Sequence, residues 1–179
     1  MRETQKYNVW IYRACFVLIA VSLLFFRLLP LGSVAGDWPG PDFMLCLMLA
    51  WVTQRPDHLP PALIALVVLA EDMILMRPPG LWAALVVLAT EFLRARAALT
   101  RDLGFAAEWL LISLVMIAML LAYRTVFAVA FITQPGFGFA FAQTVGSILM
   151  YPVVVWLLRV VIHLRKPLAG EVDAKGRRI

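Results

Sequence analysis

Apolar residues dominate this chain in long runs, and short clusters of Pro, Gly and charged residues separate them. A helix that crosses a bilayer needs roughly 20 mostly apolar residues. By that measure the runs predict six helices, over about 10–29, 41–53, 60–76, 80–97, 107–132 and 137–164. The second is too short to cross comfortably, and the fifth is long enough to tilt. Leu29-Pro30-Leu31-Gly32 closes the first run and Pro39-Gly40-Pro41-Asp42 opens the second. Pro56 and Pro60-Pro61 frame the next turn, Pro78-Pro79-Gly80 the one after, and Gln134-Pro135-Gly136 the last. Proline just inside a helix start costs little, because the first amides have no helical partner.

Composition turns these runs into a membrane prediction. The 179 residues are 63% hydrophobic and 15% charged, and mean hydropathy is +0.88. A soluble domain carries roughly 45–50% apolar and about 25% charged residues. Disorder needs low hydrophobicity. Both are excluded, and the length excludes a large multidomain enzyme. The expected fold is an all-α integral membrane bundle of about six helices with short loops. It comprises an N-terminal end over 1–9, a membrane domain over 10–164 and a basic tail over 165–179.

Charge gives the bundle a direction. The net charge is +5. Short loops rich in Lys and Arg stay cytoplasmic. Arg2, Lys6, Arg13, Arg55, Arg94, Arg96, Arg101 and five residues of the tail fall on one side; Arg27 and Arg77 fall on the other. Both termini are therefore expected in the cytoplasm. No cleavage site follows the first run, so it is expected to be retained. Trp10, Trp38, Trp51, Trp82, Trp109 and Trp156 mostly lie near run ends, where interfacial tryptophan is expected.

Ionisable residues inside spans are the first functional candidates. Glu71 and Asp72 lie near the periplasmic end of the third run, roughly 7 Å deep at 1.5 Å per residue. Arg124 lies roughly 12 Å from the same side. Their similar depth predicts a pair between Arg124 and one of the two acids. The plain alternative is that Arg124 snorkels outward and the acids reach the interface. Glu91 and Arg94 share a helix face and predict a local ion pair. Glu108 opens the fifth helix, where an acid suits the N-terminal dipole, and capping is its expected role. Cys15 and Cys46 sit at different depths and read as buried thiols, not a disulfide. His58 and His163 have no ligand-spaced partner, so no metal is expected. Ser22, Ser113 and Ser147 have no nearby base, and no nucleophile elbow, zinc-protease motif or P-loop occurs. Pro152 is expected to kink the sixth helix, and Gly146-Ser147 to allow close helix approach. Residues 136–141 alternate glycine or alanine with phenylalanine, a surface for a partner helix or for the bundle itself. No cofactor is expected.

The middle of the chain resembles a known family. Pro41-Asp42-Phe43, Trp51-Val52-Thr53-Gln54-Arg55-Pro56-Asp57, Ala70-Glu71-Asp72-Met73 and Pro78-Pro79-Gly80-Leu81-Trp82 follow one another as in the rod shape-determining protein MreD family. That family's pattern is a proline–acid start, an Arg-Pro turn, a late acid in the third span and a Pro-x-Gly-Leu turn. Glu91-Phe92-Leu93-Arg94 continues the likeness. Two departures are Leu66–Ala70 without the family's glycine, and Pro79 in place of a common leucine. The resemblance implies a non-catalytic inner-membrane scaffold of the elongation machinery for side-wall peptidoglycan. The implied partners are MreC first, then RodA, a class B penicillin-binding protein and MreB filaments; no nucleic acid is implied. Asp72 carries over from the late acid, Arg55 and Pro56 from the Arg-Pro turn, and Pro79 and Gly80 from the last turn. A six-helix bundle with short loops also resembles the substrate-binding component of an energy-coupling-factor vitamin transporter. That alternative needs a polar outer pocket, to which Asp72 and Arg124 would belong. It lacks a spaced alanine face on the first helix, where Ala14 and Ala20 stand alone. An intramembrane enzyme has no nucleophile–base pair behind it.

Overall fold

The computed structural model describes residues 2–29, 40–97, 104–131 and 136–161. Among them six helices follow one another: α1 (Arg2–Leu28), α2 (Phe43–Gln54), α3 (Pro61–Ile74), α4 (Leu81–Ala95), α5 (Phe105–Val129) and α6 (Phe137–Val161). Trp38, Arg101, His163 and the basic tail lie outside the described residues.

The expected number of helices is met, but their lengths fall into two classes. Val9–Leu28, Phe105–Val129 and Phe137–Val161 are long and apolar enough to cross a membrane. α2, α3 and α4 have 12, 14 and 15 residues, or about 18–22 Å of helix. All three are shorter than a full span, whereas only the second run looked short in the sequence. Their ends explain this. Asp42 caps α2 by accepting the Leu45 N–H at 3.1 Å. α3 starts on Pro61 and stops before Met76, which turns to φ +52°. Gly80, at φ +100°, starts α4, a backbone state that costs a residue with a Cβ.

α2 is the centre of the molecule. Its residues from Met44 to Val52 are all buried, because a helix that is apolar all round must be enclosed. α6, α4 and α1 pack around it. α3 lies along α4, and α5 bridges α4 and α6. α1 touches α2 and α3 and is held more thinly than the rest. Trp51 is completely buried and meets Phe16 edge-on at 5.4 Å. This corrects its expected interfacial place, which Trp10 and Trp156, both exposed, do fit. The outward faces carry Leu18, Leu66, Leu88, Leu114 and Leu149. A contiguous apolar exterior of this kind suits lipid tails rather than water.

α6 runs through Pro152. A proline has no N–H for the carbonyl four residues back, here that of Ile148. The indole N–H of Trp109 on α5 donates to that carbonyl at 2.9 Å. The neighbouring Ser147 carbonyl accepts from the Cys46 thiol at 3.3 Å. Close approach at Gly146-Ser147 is realised against the start of α2: a Cβ on Gly146 would rest 3.8 Å from Pro41, in ordinary contact.

Candidate functional site

The ends of all six helices meet in two places, a Pro78 end and a His58 end. At the Pro78 end, α1, α3 and α5 finish and α2, α4 and α6 begin. Arg27, in the last turn of α1, donates to the Glu71 carboxylate at 2.5 Å and lies 3.7 Å from Asp42. One guanidinium thus ties α1 to α2 and α3. Asp42 also donates its backbone N–H to the Ser147 hydroxyl at 2.7 Å, joining α6. Both acids are buried. Burying a charge is costly unless it is paired and hydrogen-bonded: Arg27 pairs with both acids and hydrogen-bonds Glu71, while the Leu45 N–H hydrogen-bonds Asp42.

Asp72 is fully buried and organises the α3–α4 turn. Its main-chain oxygen accepts the Arg77 N–H at 2.9 Å and its Oδ2 accepts the Gly80 N–H at 3.3 Å. Its Oδ1 is buried without a hydrogen-bond partner among the described residues. Pro79 sits exposed in the same turn. The arginine that meets Glu71 is therefore Arg27, where similar depth had pointed to Arg124. Arg124 lies with its guanidinium over the Phe137 ring, 5.3 Å from the centroid. Depth alone ignores which helix faces which, and α1 is the neighbour of α3.

These groups surround a cavity of about 840 Å³. Ligand pockets commonly measure about 300–1,000 Å³. Its wall holds the charged groups Arg27, Asp42, Glu71, Arg77 and Arg124, and the polar Gln143, Thr144 and Ser147. The rest is mainly apolar, with an aromatic side where Trp82 meets Tyr123 edge-on at 5.6 Å and Tyr123 meets Phe127 at 4.5 Å. Arg77 lies over Trp82 at 6.0 Å. Asp72 sits behind this wall.

The His58 end is knitted by main-chain acceptors. Arg13 donates to the His58 carbonyl at 3.0 Å, and Arg94 to the Leu59 carbonyl at 2.5 Å. Arg94 also pairs with Glu91, as their spacing predicts. Arg55 ends α2, its N–H on the Trp51 carbonyl at 2.8 Å, and Pro56 follows in the turn. The His58 ring stacks on Tyr12 at 4.6 Å. Burial above all, then the Arg55 and Arg13 charges, lowers the imidazole from its ordinary 6.5 to about 4.

A third polar group was not legible in the sequence. Glu108 is buried and accepts from Tyr151 at 3.2 Å and from Gln54 at 3.5 Å. Thr53 lies 3.2 Å from the same Tyr151 hydroxyl. Glu108 stands in the first turn of α5 as expected, but in place of the expected capping its carboxylate bonds Tyr151 and Gln54 and so joins α2, α5 and α6. The one available signal was that Thr53, Gln54 and Glu108 all fall at predicted helix ends of the same side. The three span serines are spoken for: Ser22, Ser113 and Ser147 each donate to the carbonyl four residues back, the usual arrangement of hydroxyls inside helices. Cys15 and Cys46 are free thiols.

The structure therefore brings Glu71, Asp72, Gly80, Pro79 and Arg124 together at one end and leaves Arg55 and Pro56 at the other. No family model, curated protein or solved structure matches the chain.

Proposed function

We propose that this protein is a non-catalytic membrane scaffold of the cell-elongation machinery, with MreC as its first partner. The assembly would include RodA, a class B penicillin-binding protein and MreB, and would sit in a bacterial inner membrane with both termini cytoplasmic. One observation carries the reading. The residues that bear the family likeness, Asp42, Glu71, Asp72 and Gly80, are used on architecture: two acids on Arg27 and one on the Gly80 amide. Charges committed in this way build a rigid end rather than a reaction centre. The charge asymmetry of the loops supports the orientation.

The test is Asp72→Ala in cells that depend on the protein. The reading expects its level, and MreC recovery with it, to fall severalfold. Unchanged level with unchanged MreC recovery would remove Asp72 from the scaffold. The cavity of about 840 Å³ favours a second reading, a solute-binding component of a small-molecule transporter. It stands second because shared architecture does not settle function, and because the first helix has no small-residue face for a coupling partner.

A further inference from the structure

The outward sides of the bundle differ in height. α5 and α6 have 25 residues each, about 37 Å of helix at 1.5 Å per residue. α1 exposes Trp10 and Leu28, about 27 Å apart along the helix. These lengths suit a hydrocarbon core of roughly 30 Å. The α3–α4 hairpin does not reach that height. Its outward side chains are Leu66, Leu69, Met73, Leu88 and Phe92. At the Pro78 end the Arg77 guanidinium lies over the Trp82 ring, and at the His58 end the Arg96 guanidinium lies over the Phe92 ring. Aromatic and arginine side chains of this kind anchor helices at the level of the head groups. Trp82 and Phe92 stand only about 15 Å apart along α4, about half the thickness of an ordinary core.

Glu91 marks the same limit. Its side chain is 43% exposed and pairs with Arg94, which also donates to the Leu59 carbonyl at the His58 end. A core of ordinary thickness would put this carboxylate in hydrocarbon, where a charge is costly. An arginine carries its charge outward on a long stem; the glutamate stem is too short to do so. A short apolar stretch is accommodated by thinning the bilayer, by snorkelling or by oligomerising. A covering helix would hide Glu91 without hydrating it, and thinning brings water to it.

We propose that the bilayer thins against the α3–α4 face, which makes that face a docking surface for phospholipids with short acyl chains. The long helices on the other sides meet a thinner bilayer by tilting. The inference rests on the membrane reading and not on the scaffold reading.

The experiment is electron paramagnetic resonance of the full chain in vesicles of eighteen-carbon monounsaturated phosphatidylcholine. A nitroxide is placed by Ile74→Cys, Phe92→Cys, Val145→Cys or Trp156→Cys, each with Cys15→Ala and Cys46→Ala. All four sites are exposed. The first two bracket the α3–α4 face and the last two lie a similar distance apart on α6, about 16 Å. The Ile74 and Phe92 labels should collide with a water-soluble nickel chelate at least fivefold more often than the Val145 and Trp156 labels. If either of the first two is as shielded from nickel as the α6 labels, the core has its full thickness there and the proposal fails. Shielding from nickel and oxygen together would assign the face to a protein contact and also overturn it. Nickel access at all four sites would remove the difference between the faces, with the same result. The unaltered protein gives a second measurement. Its melting temperature should be several degrees higher in sixteen-carbon than in twenty-two-carbon lipid; a maximum in the longer lipid would overturn the proposal. Failure to stay in the vesicles after an alkaline wash would instead remove the membrane reading, and this inference with it.

Discussion

Arg27 does at the scale of one residue what three separate caps would otherwise do. It reaches Glu71 and Asp42 from the last turn of a helix that is otherwise thinly held. Removing one partner of a buried pair strands the other, typically at about 3–5 kcal/mol; partial exposure of Arg27 puts this pair near the low end. Arg27→Gln should therefore destabilise the detergent-solubilised protein by about 3 kcal/mol, and adding Glu71→Gln should recover part of the loss. Thermal melting of the two single variants and the double variant measures this. Additive losses would contradict the coupling. Gly80 is a second such point. Gly80→Ala places a Cβ at φ +100°, which costs about 1–3 kcal/mol although open space surrounds it. A melting temperature unchanged in that variant would remove the strain argument. The acids themselves were visible in the sequence as costly residues in apolar runs. Their partners were not, because a partner depends on which helices are neighbours, and the sequence pattern does not contain that.

At the scale of elements, Pro152 and Trp109 form one device across α5 and α6. Proline leaves the Ile148 carbonyl without a helical donor and the indole supplies one. Trp109→Phe should cost about 1–3 kcal/mol, the range for a buried acceptor left unsatisfied. In a Pro152→Ala background, where the alanine N–H takes the carbonyl, the same change should cost markedly less. Equal cost in both backgrounds would break the link. The helix ends were largely legible, because Pro60-Pro61, Pro78-Pro79-Gly80 and Pro135-Gly136 punctuate the runs. The central position of α2 was half legible: its uniform apolarity showed, but Trp51 misled. Tryptophan near a run end suggests an interface only when the helix reaches one, and α2 is enclosed. The turn at His58 adds a pH dependence. Its imidazole is held neutral at about 4 against an ordinary 6.5, so the unfolded chain binds the proton first as pH falls. Its contribution is full above about 6.5 and is lost as pH falls through about 4. Melting temperature should drop over that window in the unaltered protein and drop less in His58→Gln; parallel curves would contradict it.

At the scale of the whole molecule, three full-length helices and two short ones surround a third short helix, α2, and the described residues line a polar cavity of about 840 Å³ at the Pro78 end. The described helices reach outward with apolar side chains and keep their charged groups at the two ends, as a bundle in lipid must. The residues on which the proposed MreD-like reading rests build those ends. The most direct measurement is purification of the tagged full chain from native membranes in mild detergent, with every co-purifying protein identified by mass. The scaffold account predicts MreC together with the wall-synthesis enzymes. Recovery of an ATPase pair and a coupling membrane protein, without MreC, would contradict it and make the cavity the centre of the protein's function.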